Sequence, residues 1–222
     1  MIETLLHPRN IETRDWATIL FLLSFVLIAI LKSAYENRFS DFMQLLVSNK
    51  YIKVYRDSSN LSSLFTIVIF LVHIISLAFF IQLSLYTFQF IIAKSDWIIF
   101  IQIFTFLFVF ILSKYLIEMI MATSFNIEEI IEQYNLQKVS YRTYFGLFLL
   151  PIDIILFYND FLSKYLIYGT IAILLAINLI NYLVSLKNYQ NLIFRKFFYF
   201  ILYLCTLEIA PYYFLYYWFT KS

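Results

Sequence analysis

Long apolar runs separated by short polar segments set the pattern of this chain. Six runs approach the roughly 20 apolar residues that a helix needs to cross a hydrocarbon core of about 30 Å. They cover residues 16–31, 64–92, 97–116, 144–158, 165–186 and 197–219, the fourth being short. None alternates with the period of two that a membrane barrel requires, so the spans are predicted to be helices. The first run is expected to be a retained helix rather than a secretory signal. Arg9 and Arg14 before it are offset by Glu3, Glu12 and Asp15, and no small-x-small cleavage site follows.

Composition sharpens the class. The chain is 63% hydrophobic, 22% aromatic and 14% charged, whereas an ordinary globular domain is about 45–50% apolar and about 25% charged. In water so much apolar surface could not be buried. Two glycines and three prolines argue against collagen-like, low-complexity and turn-rich all-β folds. The lone Cys205 excludes an internal disulfide framework and a cysteine-based zinc site. A net charge of +2 gives no basis for nucleic-acid binding. The expected fold is an all-α polytopic membrane helical bundle, a single domain over 1–222 with about six transmembrane helices.

The connections add smaller elements. Within 33–60, Tyr35, Phe39, Phe42, Met43 and Leu46 recur at helical spacing, with Glu36, Arg38, Asp41 and Gln44 between them. That pattern predicts an amphipathic helix lying at the membrane interface. Asn126 followed by Glu129 resembles a capping box. Ile127, Ile130, Ile131 and Tyr134 then mark a short helix whose acidic face holds Glu128, Glu129 and Glu132.

Cations orient the spans. The connections after spans one, three and five hold Lys32, Arg38, Lys50, Lys53, Arg56, Lys114, Lys138, Arg142, Lys187, Arg195 and Lys196. The opposite side holds Arg9, Arg14, Lys94, Lys164 and Lys221. The positive-inside rule therefore predicts connections one, three and five to be cytoplasmic and both termini periplasmic. Trp16, Trp97 and the cluster Tyr212, Tyr213, Tyr216, Tyr217 and Trp218 fall at outer ends, the headgroup level that amphipathic rings prefer.

Ionisable groups at mid-membrane are costly and are candidates for function by default. His73, Asp153 and Glu208 each lie about ten residues into a span that starts on the cytoplasmic side, or about 15 Å deep. At one depth they can form one polar cluster. Span two carries a stripe of Ser62, Thr66, His73, Ser76, Ser84 and Thr87, with Gln82 and Gln89 opposite; hydroxyls bonded to their own helix carbonyls and a packing histidine would explain it equally. Pro151 and Pro211 flank Asp153 and Glu208 and predict helix breaks, since proline removes a backbone donor. Span five carries Gly169, Ala172 and Ala176 on one face and Asn178, Asn181 and Ser185 on the other, so Asn178 joins the candidate cluster. Lys114 and Glu118, four residues apart, are expected to pair at the interface.

No HExxH, GxSxG or Walker motif occurs. No catalytic residue, metal ligand set or cofactor is assigned. The segment Leu204-Cys205-Thr206-Leu207-Glu208-Ile209-Ala210-Pro211, with Arg14-Asp15-Trp16 and Leu150-Pro151, resembles a family of multi-pass inner-membrane proteins of Bacteroidota, a domain of unknown function. The resemblance covers almost the whole chain and implies a location, the bacterial inner membrane, rather than an activity. The first functional expectation is a non-catalytic accessory or assembly component, its partners being the lipid bilayer and a membrane protein or a second copy of itself. The alternative is a small ion- or proton-coupled transporter built on His73, Asp153 and Glu208. An intramembrane enzyme acting on lipid ranks last, since no arginine-rich set accompanies the acids to hold a diphosphate.

Overall fold

The computed structural model describes residues 14–45, 50–55, 63–124, 128–159 and 164–188. Among them every regular element is a helix: α1 (Asp15–Ala34), α2 (Glu36–Met43), α3 (Lys50–Val54), α4 (Leu64–Thr87), α5 (Trp97–Ser124), α6 (Glu128–Tyr158) and α7 (Lys164–Asn188). Four segments are long and apolar enough to cross a membrane: Asp15–Ala34, Leu64–Thr87, Trp97–Ser124 and Tyr134–Tyr158. The fifth candidate falls in α7, a helix of 25 residues whose side chains are described over Lys164–Ala176. The sixth expected span, 197–219, lies outside the described residues. The chain is thus an all-helical membrane protein with four membrane-length helices among the described residues.

Local chemistry sets the helix ends. Ser63 caps α4, its hydroxyl accepting from the Thr66 amide at 3.4 Å. Asp96 caps α5, its Oδ1 accepting from the amides of Ile98 at 2.9 Å and Ile99 at 3.4 Å. α4 stops at Thr87, five residues short of the expected boundary at 92. There the Phe90 amide bonds the Leu85 carbonyl and the Gln89 amide bonds that of Tyr86, the paired bonds of a Schellman ending. Gln89 takes the left-handed conformation (φ 64°) that such an ending requires. The amphipathic stretch is realised as α2, whose Phe42 packs onto Tyr51, Phe65 and Tyr144; Leu46 lies outside the described residues.

Two expectations about α6 are corrected. The short helix near 127–134 and the fourth span are one helix of 31 residues, and it continues through Pro151. Proline deletes one donor there, but the Pro151 side is exposed while Leu149, Leu150 and Asp153 are buried. The missing bond therefore falls on the outer face, and the inner face keeps its packing; membrane helices tolerate proline on such terms.

The helices pair in alternating directions. Trp16 of α1, Phe79 of α4, Phe100 of α5 and Phe157 of α6 meet at one end. That places the start of α1 and α5 beside the finish of α4 and α6. α4 and α6 therefore run parallel, and they make the most extensive helix contact among the described residues. The tryptophan end is closed by a ring cluster around fully buried Phe79, with Phe21 at 4.3 Å and Phe100 at 4.4 Å between centroids. At the opposite, elbow end a second cluster joins Leu31, Phe42, Leu45, Tyr51, Phe65, Ile69, Tyr141 and Tyr144.

Polar bonds lock both ends. At the tryptophan end the Trp16 indole donates to the Ser95 carbonyl (3.2 Å), and Gln82 Nε2 donates to the Asp96 carbonyl (2.8 Å). Thr18 and Tyr158 share a hydroxyl–hydroxyl bond of 2.6 Å. At the elbow end Arg38 of α2 turns inward. Its Cζ lies 4.8 Å from the ring centroids of Tyr55 and Phe65, and its Nη2 donates to Thr66 Oγ1 at 3.1 Å. A cation over aromatic faces away from water is stabilised by the ring quadrupoles. Burial pushes the Tyr51 phenol up, with the Arg38 charge opposing. Lys138 of α6 pairs with Glu118 of α5 at 2.9 Å, an ion pair that crosses between helices.

Candidate functional site

The polar stripe of α4 faces α6 midway between the two aromatic clusters. His73 and Ser76 are separated by three positions, which puts them on one side of α4. On α6, Gly146 and Asp153 are seven positions apart, two turns along one face. Because the helices run parallel, the pairs meet in order, His73 against Gly146 and Ser76 against Asp153.

Each contact has a physical cause. Ser76 Oγ donates to Asp153 Oδ2 at 2.7 Å, with both residues at 0% exposure. A hydrogen bond to a carboxyl group in a dry interface is among the stronger kinds. One turn away the His73 ring lies on the backbone of α6. A Cβ at position 146 would sit 2.8 Å from His73 Cγ and 2.9 Å from His73 Cβ, inside any ordinary contact distance. Glycine is required here because a side chain and a backbone occupy adjoining space.

Both ionisable side chains keep one polar atom without a partner: Asp153 Oδ1 and His73 Nδ1 are fully enclosed and make no hydrogen bond. Buried polar atoms are nearly always satisfied, so each exception calls for an explanation. The other described hydroxyls of the stripe have partners of their own. Ser84 donates to the Phe80 carbonyl at 2.8 Å and Thr87 to that of Leu83 at 2.9 Å. Thr66 is taken by Arg38.

Of the expected cluster, then, the structure brings His73 and Asp153 to one helix interface, His73 against Gly146 and Asp153 on Ser76. Ser76 stands midway along Leu64–Thr87, which places Asp153 at mid-depth of α4. Glu208 and Pro211 lie outside the described residues. Asn178 falls within α7, in the part whose side chains are not described. Gly146 was not singled out from sequence; a lone glycine inside an apolar helical run was the available signal. No group of three or more His, Cys, Asp or Glu able to hold a metal occurs among the described residues.

No curated protein and no solved structure matches the chain. One family model does, over residues 17–219, a range that holds all but the first two residues of the four membrane-length helices among the described residues and includes the α4–α6 contact. The chain belongs to the family described as Domain of unknown function (DUF4271).

Proposed function

We propose that this protein is a non-catalytic accessory or assembly component of a complex in the bacterial inner membrane, with its elbow end cytoplasmic. One observation carries the reading. Three ionisable groups inside the bundle are used for helix cohesion: Asp153 is held by Ser76, Glu118 by Lys138, and Arg38 by Thr66 and two rings. Such interhelical bonds hold a scaffold rigid. The orientation rests on the cation excess of the connections at the elbow end. Purification of the tagged full chain in mild detergent should recover a stoichiometric membrane partner or a defined homo-oligomer. A chain that purifies as a monomer with nothing bound, from cells where it is needed, contradicts the reading.

A second reading, a small proton-coupled transporter, draws on a different observation, the enclosed and unbonded Asp153 Oδ1 and His73 Nδ1. In that case Asp153→Asn should abolish function in cells while the protein still accumulates in the membrane. Full complementation by this variant removes the transporter reading.

A further inference from the structure

We infer that α4 and α6 close around Asp153 only as the neutral acid, so that helix pairing and the binding of one proton to this carboxyl group are a single event, with Ser76 as the positioning residue. The inference concerns what the contact holds and rests on neither functional reading above.

A count of hydrogen-bonding capacity carries it. An ionised carboxylate offers about four lone-pair sites and has no hydrogen to give. At Asp153 one donor is in place, the Ser76 hydroxyl on Oδ2. Oδ1 is enclosed and makes no hydrogen bond. Neither residue is exposed, so bulk water does not supply the missing donors. A carboxylate taken from water with so few donors is among the costliest groups to bury, whereas the neutral acid leaves only an ordinary polar atom short of a partner. Oδ2 accepts from Ser76 as the carbonyl oxygen of that acid, and Oδ1 carries the proton.

A cation beside the carboxylate would serve in place of the proton, and the fold sends the described cations elsewhere. Arg142 lies eleven positions before Asp153, about 16 Å along α6, and acts on His73. His73 itself packs on Gly146, seven positions from Asp153. Lys94, in the α4–α5 connection, donates to the Asn159 carbonyl at 3.3 Å, six positions beyond Asp153. Lys114, Glu118 and Lys138 lie toward the elbow end, Glu118 and Lys138 holding each other. Asp15 and Lys32 sit at the two ends of α1, Asp96 caps α5 and Lys164 begins α7. Burial and the Ser76 bond are the influences on the Asp153 carboxyl group, with no charged side chain among them. The step balances simply: one proton is taken up, the charge goes from −1 to 0, and no bond between heavy atoms changes. Release of the proton leaves a charge in the dry contact, which opposes the pairing of α4 with α6.

The test uses the full chain in lipid nanodiscs at neutral pH, read by infrared spectroscopy, which separates the stretch of a protonated carboxyl group from that of a carboxylate. The spectrum of the wild type minus that of Asp153→Asn should contain one protonated carboxyl band and no carboxylate band. Ser76→Ala should shift the frequency of that band, whereas Ser84→Ala, whose hydroxyl serves its own helix at Phe80, should leave it in place. Wild-type chain carrying carbon-13-labelled aspartate gives the same reading without any substitution: one labelled protonated band is expected, and its absence overturns the inference. A carboxylate band assigned to Asp153, whether held by water or by a bound cation, overturns it as well, and so does a protonated band that Ser76→Ala and Ser84→Ala move alike. Co-purification and complementation are read separately, so failure here leaves the scaffold and transporter readings to their own tests.

Discussion

α4 and α5 are both long apolar helices, and they live in different surroundings. α4 is the hub: Phe79, Ala78, Ile74, Ser76 and Gln82 are fully buried. α5 turns Ile98, Ile101, Phe106, Val109, Leu112 and Leu116 outward among the described residues. Apolar content does not separate the two, because lipid tails are as apolar as a protein core. Polar residues do. α4 carries histidine, serines and glutamine through its middle, while the central stretch of α5 is almost wholly aromatic and aliphatic. In a bilayer a helix with mid-span polar groups must face protein, since lipid cannot bond them.

Substitutions along the two helices test this contrast, each read as a change in unfolding midpoint in detergent or nanodiscs. Phe79→Ala empties the middle of the tryptophan-end cluster and is expected to cost the most, about 3–5 kcal/mol. Gly146→Ala drives a methyl into the His73 ring and should cost about 1–3 kcal/mol. Removing the ring with His73→Ala in the same chain should recover much of that loss; a cost that persists would place the strain elsewhere. Ser76→Ala removes one interhelical bond. Such bonds in membrane proteins average about 0.6 kcal/mol, with a ceiling near 1.7. Val109→Ala on the outer side of α5 should stay within about 0.5 kcal/mol. A large loss at Val109 would mean that α5 is covered by protein, and the contrast with α4 would have to be redrawn.

The same contrast explains what could be read in advance. The starts near Trp16, Leu64 and Trp97 were legible because an apolar run begins abruptly there, next to a polar cap such as Ser63 or Asp96. Counting from Tyr144 set the expected depth of Asp153, whereas the apolar segment of α6 starts at Tyr134; what the structure gives is its bond to Ser76, midway along α4. Helix ends were not legible. α5 outruns its expected end at Leu116 and reaches Ser124 because Glu118 finds Lys138 across the interface, a partner invisible in the local sequence. α6 begins far before Tyr144 because Asn135, Gln137, Ser140 and Thr143 are buried against protein, and their polarity reads as a connection. Arg38 looked like part of a solvated face, and its cage is assembled from Tyr51 of α3, Tyr55 just after it and Phe65 of α4. Pro151 signalled a break that the outward side of α6 absorbs. The shared interface of His73 and Asp153 depended on the parallel register of α4 and α6, which only the fold supplies.

That register is the central claim, and cysteine cross-linking in native membranes reads it directly. In a Cys205→Ser background, His73→Cys with Gly146→Cys places the sulfurs on carbons that the fold holds in contact, within reach of a disulfide. The account predicts rapid and nearly complete cross-linking of this pair under mild oxidation, and none for Val109→Cys with Gly146→Cys. Failure of the 73–146 pair to link, or equal linking of the 109–146 pair, would contradict a parallel α4–α6 contact centred on the Ser76–Asp153 bond.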